Sequence, residues 1–174
     1  RIPPHSESIQ FCISHTKTRV APTIAARAIS TKISGARWPE EVITKTKLST
    51  EEAAYVVDNI PLPLDNPWKR NIRPGDIQFL EDGTGVMPAL DGDIWLIHGL
   101  KDSLSKVRWK RFASGLHEPM TVAIRYNQIY AFDRNGIWRL RDTNGNGEAD
   151  THELFSNAFA QTADMREFPS TIRL

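Results

Sequence analysis

The pattern of apolar and polar residues becomes regular from Ile72 onward, where short apolar runs alternate with polar turns. Such a pattern predicts antiparallel β-strands joined by hairpins. Asp-Gly pairs, which are strong hairpin signals between apolar runs, occur at 82–83 and 91–92. The class predicted is therefore all-β, with strands over residues 77–80, 85–90, 94–99, 107–113, 120–125, 129–132 and 136–141.

Two parts of this pattern recur at one spacing. Asp93-Ile-Trp-Leu-Ile97 matches Gly136-Ile-Trp-Arg-Leu140, and Phe112-Ala-Ser-Gly-Leu116 matches Phe155-Ser-Asn-Ala-Phe159, both at an offset of 43 residues. A four-stranded unit that recurs at about 40–50 residues is typical of a β-propeller blade. A β-sandwich with coincidental Ile-Trp pairs is the alternative. The offset favours two four-stranded antiparallel blades.

Residues 167–172 match residues 118–123 and predict the first strand of a third blade. A propeller needs about four to eight blades to close its ring. We therefore expect the chain to be a fragment, or other polypeptide to complete the ring. The opening Arg-Ile-Pro-Pro, without an initiator methionine or a signal peptide, agrees with a mature product or a fragment.

The first part of the chain predicts less structure. We expect a strand over 8–13, an irregular or partly helical stretch over 16–34, and short extended segments over 40–47 and 54–60. The proline-rich residues 61–67 predict an extended connector. The predicted division is an N-terminal β or irregular segment over 1–60, a linker over 61–71 and an incomplete propeller over 72–174.

Residues 142–153 carry the clearest chemical motif, Asp-Thr-Asn-Gly-Asn-Gly-Glu-Ala-Asp-Thr-His-Glu. Glycine stands at position 6, Gly147, and side-chain oxygens stand at positions 1, 3, 5, 9 and 12, which are Asp142, Asn144, Asn146, Asp150 and Glu153. This is the spacing of an EF-type calcium loop. Glu148 at position 7 would then bind through its backbone carbonyl, with its side chain free.

Hard oxygen ligands favour Ca²⁺ over zinc or copper, and the strict octahedral demand of Mg²⁺ disfavours that ion. The flanking residues are β-formers, so we expect the ion to stabilise a β-structure rather than a helical EF-hand. An Asn-Gly-rich hairpin turn without metal is the alternative.

Composition excludes several classes of function. A net charge of +1 with scattered basic residues gives no basis for nucleic-acid binding. The chain holds no apolar run near the roughly 20 residues that span a bilayer. The single cysteine, Cys12, excludes an intrachain disulfide and a C-x-x-C-H haem attachment within these residues, and we expect it to be a core residue.

Several segments resemble one bacterial family: residues 37–40, 54–58, 66–68, 91–95, 107–116 and 140–150. It comprises large, secreted, multidomain propeller proteins labelled membrane-bound dehydrogenase or haem-binding-domain proteins. Their propeller is similar to that of soluble quinoprotein glucose and sorbosone dehydrogenases. The resemblance implies an extracytoplasmic location, periplasmic or secreted, and a possible cytochrome c domain or subunit as partner. Pyrroloquinoline quinone or haem would belong only to the parent assembly.

Quinoprotein relatives use a histidine base and arginines at the mouth of the propeller. The weak candidates here are His117 and Arg166, and neither lies in a segment that aligns with a catalytic motif. An exposed loop position is the alternative for His117. We expect Trp95 and Trp138 to pack between blades rather than to stack on sugars, and the acidic pair of the Asp-Gly-Asp turn at 91–93 to shape that turn.

Two classes of function follow from the sequence. The parent protein is either a quinone-dependent dehydrogenase that oxidises a sugar or alcohol and passes electrons to a c-type cytochrome, or a non-catalytic platform in a larger assembly. For this chain by itself the second class is favoured, because its clearest chemical feature is a metal loop.

Overall fold

The computed structural model describes residues 35–101, 103–159, 168 and 170–172. Contacts divide the chain into two compact units, Arg1–Lys32 and Ile33–Leu174, and everything below concerns the second. The strand predicted over 8–13, the stretch over 16–34, Cys12 and Arg166 lie outside the described residues.

The described residues form nine β-strands and no helix, which confirms the all-β class. All strand pairs are antiparallel and form two sheets. The strands are β1 (Glu41–Thr44), β2 (Gln78–Phe79), β3 (Gly85–Ala89), β4 (Asp93–His98), β5 (Val107–Ser114), β6 (Thr121–Arg125), β7 (Gln128–Asp133), β8 (Gly136–Arg141) and β9 (Thr151–Ser156).

The first sheet has the order β1-β5-β4-β3-β2. The prediction that everything before Pro61 lies outside the first four-stranded unit is wrong for β1, which pairs with β5 from Glu41↔Lys110 to Thr44↔Val107. The outer edge of β5 would otherwise expose unpaired backbone groups. The side chain of Trp109 also bonds to β1, its indole N–H donating to Thr44 Oγ1 at 2.9 Å.

The second sheet has the order β6-β7-β8-β9 and repeats the first in register. In the first sheet Ile94 pairs with Ala113 and Trp95 with Arg111. In the second, Ile137 pairs with Ser156 and Trp138 with Leu154, so both partners are displaced by 43 residues. Each sheet also has a β-bulge at its Ile-Trp step. The equivalence of β4 and β8 predicted from the sequence is therefore confirmed.

The two sheets stack so that unlike faces meet. One apolar cluster lies between them and contains Val86 and Ile94 of the first sheet with Ala131 and Leu140 of the second. Trp138 packs against this cluster, whereas its counterpart Trp95 lies in the separate cluster on the other side of the first sheet. The two equivalent tryptophans therefore lie in different clusters. The face of the second sheet that carries Trp138, its front, packs against the face of the first sheet opposite to Trp95, its back.

The predicted linker over 61–71 packs onto the first sheet. Leu62 and Trp68 contact the cluster that contains Trp95, on the side of the first sheet away from the second. The Trp68 and Trp95 ring centroids lie 5.8 Å apart. Arg70 Nε donates to the buried carboxylate of Asp93 at 2.7 Å, and Arg111 Nη2 donates to the other oxygen at 2.9 Å. The acidic pair was expected only to shape its turn. The structure shows that Asp93 also anchors the linker, through Arg70.

Two predicted segments take no place in the sheets. The extended segment over 54–60 forms no strand, and Tyr55 and Val57 are 93% and 81% exposed. The predicted third inner strand over 167–172 is described only at residues 168 and 170–172, and these residues are not in a strand. Ser170, Thr171 and Ile172 do line a cavity together with β6.

Candidate metal loop

The metal loop was predicted over residues 142–153; in the structure residues 142–150 connect β8 to β9, and residues 151–153 belong to β9. Its first residue, Asp142, organises the chain around its own carboxylate. Oδ1 accepts a hydrogen bond from the amide of Gly145, and Oδ2 accepts one from the amide of Gly147, each at 2.7 Å. The amides of Asn144 and Asn146 also donate to Oδ1, at 3.3 and 3.2 Å.

The two asparagines continue this coiling. Asn144 Oδ1 accepts from the amide of Asn146 at 3.0 Å, and Asn146 Oδ1 accepts from the amide of Glu148 at 2.9 Å. Gly145 and Gly147 have φ of 74° and 82°, which side-chain-bearing residues adopt only with strain. The sharp turn predicted at Gly147 is therefore present.

Asp150 closes the loop opposite its start. Its carboxylate accepts hydrogen bonds from Thr143 Oγ1 at 2.8 Å and from Thr151 Oγ1 at 3.0 Å. The hydrogen bond from the Thr143 side chain is the main cause that lowers the pKa of Asp150, and the hydroxyl of Thr151 lowers it further. Asp150 therefore carries its negative charge throughout the neutral range.

Four of the six predicted ligand residues share one cavity of about 260 Å³: Asn144, Asn146, Glu148 and Asp150. Among the described residues no three His, Cys, Asp or Glu side chains form a metal-binding group. The oxygen-bearing loop residues that line the cavity are instead Asp150, Glu148 and two asparagines; Arg37 also lines it, whereas Asp142 does not. Such a mixed set fits Ca²⁺, which accepts carbonyl and amide oxygens beside carboxylates.

Glu153, the ligand predicted at position 12, is not brought to this cavity. It lies within β9 opposite Arg139, whose Nε donates to its Oε2 at 3.1 Å, and Arg141 lies 3.7 Å away. The hydrogen bond from Arg139 lowers the pKa of Glu153. Glu153 therefore joins two strands, and among the predicted ligand residues that line the cavity Asp150 is the last.

The prediction that the Glu148 side chain is free is wrong. It is 2% exposed, and its carboxylate accepts the backbone amides of Arg37 at 2.7 Å and Trp38 at 2.6 Å. Lys110 Nζ lies 3.8 Å from the same carboxylate. A carboxylate buried to this degree needs such donors, because burial without them would cost several kcal/mol.

The loop is also bonded to the first sheet. The amide of Ala149 donates to the carbonyl of Phe112 at 2.8 Å. Phe112 lies at the bulge of β5, where the pairing with β4 passes from Arg111 to Ala113. β1 pairs with β5 only from Val107 to Lys110. Ala149 bonds the edge of β5 beyond that point, at Phe112. The loop therefore ties the second sheet to the first.

These partners of Glu148 were not found from the sequence. Arg37 and Trp38 are separated from Glu148 by 111 and 110 positions. Nothing in the local pattern of the loop indicates them, since position 7 of a calcium loop is defined by its carbonyl. The only hint in the sequence was the glutamate itself. The structure shows that its segment is buried between the sheets.

Of the two catalytic candidates only His117 lies within the described residues. His117 is exposed between β5 and β6; its amide donates to Asp133 Oδ2 at 2.8 Å, and its carbonyl accepts from the amide of Arg134. The exposed loop position is thus confirmed for His117. Trp138 packs against the cluster between the two sheets, as predicted, and its indole donates to Asp133 at 2.9 Å. Trp95 is fully buried, but in the cluster on the other side of the first sheet, against Trp68 of the linker.

A second cavity, of about 620 Å³, lies among β2, β6 and residues 170–172. Asp76 lines it together with Thr121, whose hydroxyl donates to Asp76 Oδ2 at 2.9 Å. The described residues around it are polar and aliphatic, without histidine or arginine: Gly75, Asp76, Gln78, Thr121, Val122, Ala123, Ile124, Ser170, Thr171 and Ile172.

No match to the chain was found among protein-family models, among curated proteins or among solved structures. None of the described residues belongs to a helix long and apolar enough to cross a bilayer.

Proposed function

We propose that this chain contributes two blades and a structural calcium loop to an extracytoplasmic β-propeller, and that it is not catalytic by itself. Other polypeptide completes the ring in a dehydrogenase-like assembly of several domains or chains. The observation that carries the proposal is the loop over 142–150, four of whose predicted ligand residues line one cavity while its backbone bonds both sheets.

The stacking of the sheets supports the propeller part of the proposal. In a two-layer sandwich with internal symmetry, equivalent faces would meet at one core. Here the front of one sheet covers the back of the other, as Trp95 and Trp138 show by lying in different clusters. Such an arrangement can be continued by further sheets of the same kind, which is how propeller blades follow one another.

The dehydrogenase alternative asks for a histidine and arginines at the centre of the ring. In the proposed ring β2 and β6 would be inner strands; the cavity among β2, β6 and residues 170–172 is lined by described residues that offer one carboxylate and hydroxyls. His117 is not among them. This favours the non-catalytic role for the chain, with any quinone or haem held elsewhere in the parent assembly.

The test of the calcium loop is a calorimetric titration of Ca²⁺ into chelator-treated protein. We expect one site with a Kd between about 10 μM and the millimolar range, because two carboxylates give the site moderate charge. Asp150→Asn should weaken binding at least about tenfold. Glu153→Gln is the matched control and should bind as the wild type does. Loss of binding in Glu153→Gln instead would restore the twelve-residue ligand set.

A further inference from the structure

Glu148 takes part in two features of the fold, the loop over 142–150 and the docked segment Arg37–Trp38. Its backbone carbonyl is the position-7 ligand of the proposed calcium loop, and its side chain holds the segment Arg37–Trp38 that leads into β1. Both amides of that segment donate to the one carboxylate, at 2.7 and 2.6 Å.

The contact extends beyond Glu148. Lys110 Nζ donates to the carbonyl of Trp38 at 2.9 Å, and the guanidinium of Arg111 lies 4.2 Å from the centre of the Trp38 ring. Arg37 Nη2 donates to the carbonyl of Ala149 at 3.3 Å. The segment Arg37–Trp38 therefore contacts loop residues 148 and 149 on one side and β5 on the other.

These contacts make the conformation of the loop and the docking of the segment depend on each other. If the segment leaves, the Glu148 carboxylate loses both amide donors and keeps Lys110 Nζ, 3.8 Å away, as its nearest cation, which is costly. If the loop changes its course, position 148 moves and the two amides lose their acceptor. A ligand that favours one loop conformation must therefore also favour docking of the segment, and the coupling is reciprocal.

We propose that Ca²⁺ binding in the loop over 142–150 is coupled, through Glu148 as a positioning residue, to docking of Arg37–Trp38 on the junction of the two sheets. This rests on the proposed calcium loop. The ion would thereby fix the strand β1 and residues 37–40 that lead into it, as well as the hairpin that holds the ion.

Amide hydrogen exchange tests the coupling on the purified chain, with Ca²⁺ or with EGTA. At Arg37 and Trp38 we expect Ca²⁺ to slow exchange at least about fivefold more than at Leu90. The amide of Leu90 donates to the carbonyl of Arg73, which is not a partner of Arg37 or Trp38, and so reports general stabilisation. In Glu148→Gln this excess should vanish and calcium affinity should fall about fivefold or more, whereas Glu153→Gln should keep both at the wild-type level.

The outcomes separate the two proposals. If calorimetry detects Ca²⁺ binding but Arg37 and Trp38 slow no more than Leu90, the coupling is wrong and the calcium loop stands. If the wild type binds no Ca²⁺ in the calorimeter, both proposals fall. A wild-type excess that survives in a folded Glu148→Gln protein would show that Glu148 does not carry the coupling.

Discussion

Single buried charges hold this fold together at points that the apolar pattern does not reveal. Asp93 is fully buried and receives hydrogen bonds from Arg70 and Arg111, and Glu148 receives two backbone amides. In both cases the acid joins segments far apart in sequence. A buried carboxylate is tolerated because each of its oxygens finds donors.

Residue roles were predictable from the sequence only where they depended on near neighbours. The sharp turn at Gly147 follows from spacing within the loop, and the packing role of Trp138 follows from the 43-residue repeat. The hydrogen bonds that Asp142 accepts from loop amides were not predicted. The ion pairs of Asp93 and the burial of Glu148 do not, because their partners arrive through tertiary packing.

His98 makes stability depend on pH. Burial lowers its pKa, and Arg108 lowers it further, although Glu41 and Asp82 oppose this. In the unfolded chain a histidine titrates near about 6.5. As the pH falls through that value the unfolded chain takes up the proton first, so stability is lost until the pH passes below the folded pKa.

We therefore expect the urea midpoint to fall between about pH 7.5 and about pH 5.5. The fall should be smaller in His98→Asn. The exposed His117 supplies a matched control, since His117→Asn should keep the wild-type fall. Equal falls in the wild type and in His98→Asn would mean that another group causes the loss.

At the scale of strands and loops, sequence periodicity located most of the sheet correctly. Seven predicted strands from residue 77 onward correspond to β2 through β8, and the offset of 43 residues reappears in the register of β4 and β8. β1 was predicted as an extended segment, but its place beside β5 was not. Edge pairing over a long separation has no local signal, because any exposed edge of matching length can accept such a strand.

The cluster between the sheets should dominate their stability. Ile94 is fully buried there, whereas Ile43 in β1 is 47% exposed. Truncation of a buried isoleucine to alanine costs about 2–5 kcal/mol, because contacts are lost and a cavity is left. Ile94→Ala should therefore lower the free energy of unfolding, measured in urea, by that amount. Ile43→Ala should cost much less; equal costs would contradict the assigned packing.

At the scale of the whole molecule, the proposed propeller implies sheet faces that need partners. The face of the second sheet that points away from the first carries Phe155, which is 55% exposed and contacts Tyr130 edge-on with ring centroids 5.1 Å apart. On the first sheet, Ile77 and Phe79 beside a cavity of about 890 Å³ are 41% and 54% exposed.

We expect the isolated chain to self-associate in sedimentation velocity runs, because apolar faces of this kind are rarely left open on monomers. Phe155→Ser should reduce the association. Tyr126→Ser is the control, since Tyr126 is 80% exposed on the turn between β6 and β7 and not on a sheet face. A compact monomer at all concentrations would contradict the requirement for a partner.

The proposed calcium loop matters at each of these scales, because its predicted ligands are single residues, its backbone closes a hairpin and its contacts link the two sheets. An ion that binds the folded loop alone stabilises the fold by mass action, by about 2.7 kcal/mol at a hundredfold excess over Kd. For a domain of this size that corresponds to a rise of roughly 5–10 °C in Tm.

The most direct measurement is a thermal melt of the wild type and of Asp142→Ala, each with Ca²⁺ and with EGTA. The wild type should lose that rise when EGTA removes the ion. Asp142→Ala should melt at a lower temperature in both conditions and show no response to Ca²⁺, because the carboxylate that organises the loop is gone. A wild type that melts identically in Ca²⁺ and EGTA, or an Asp142→Ala protein that still responds to Ca²⁺, would mean that residues 142–150 form only a turn.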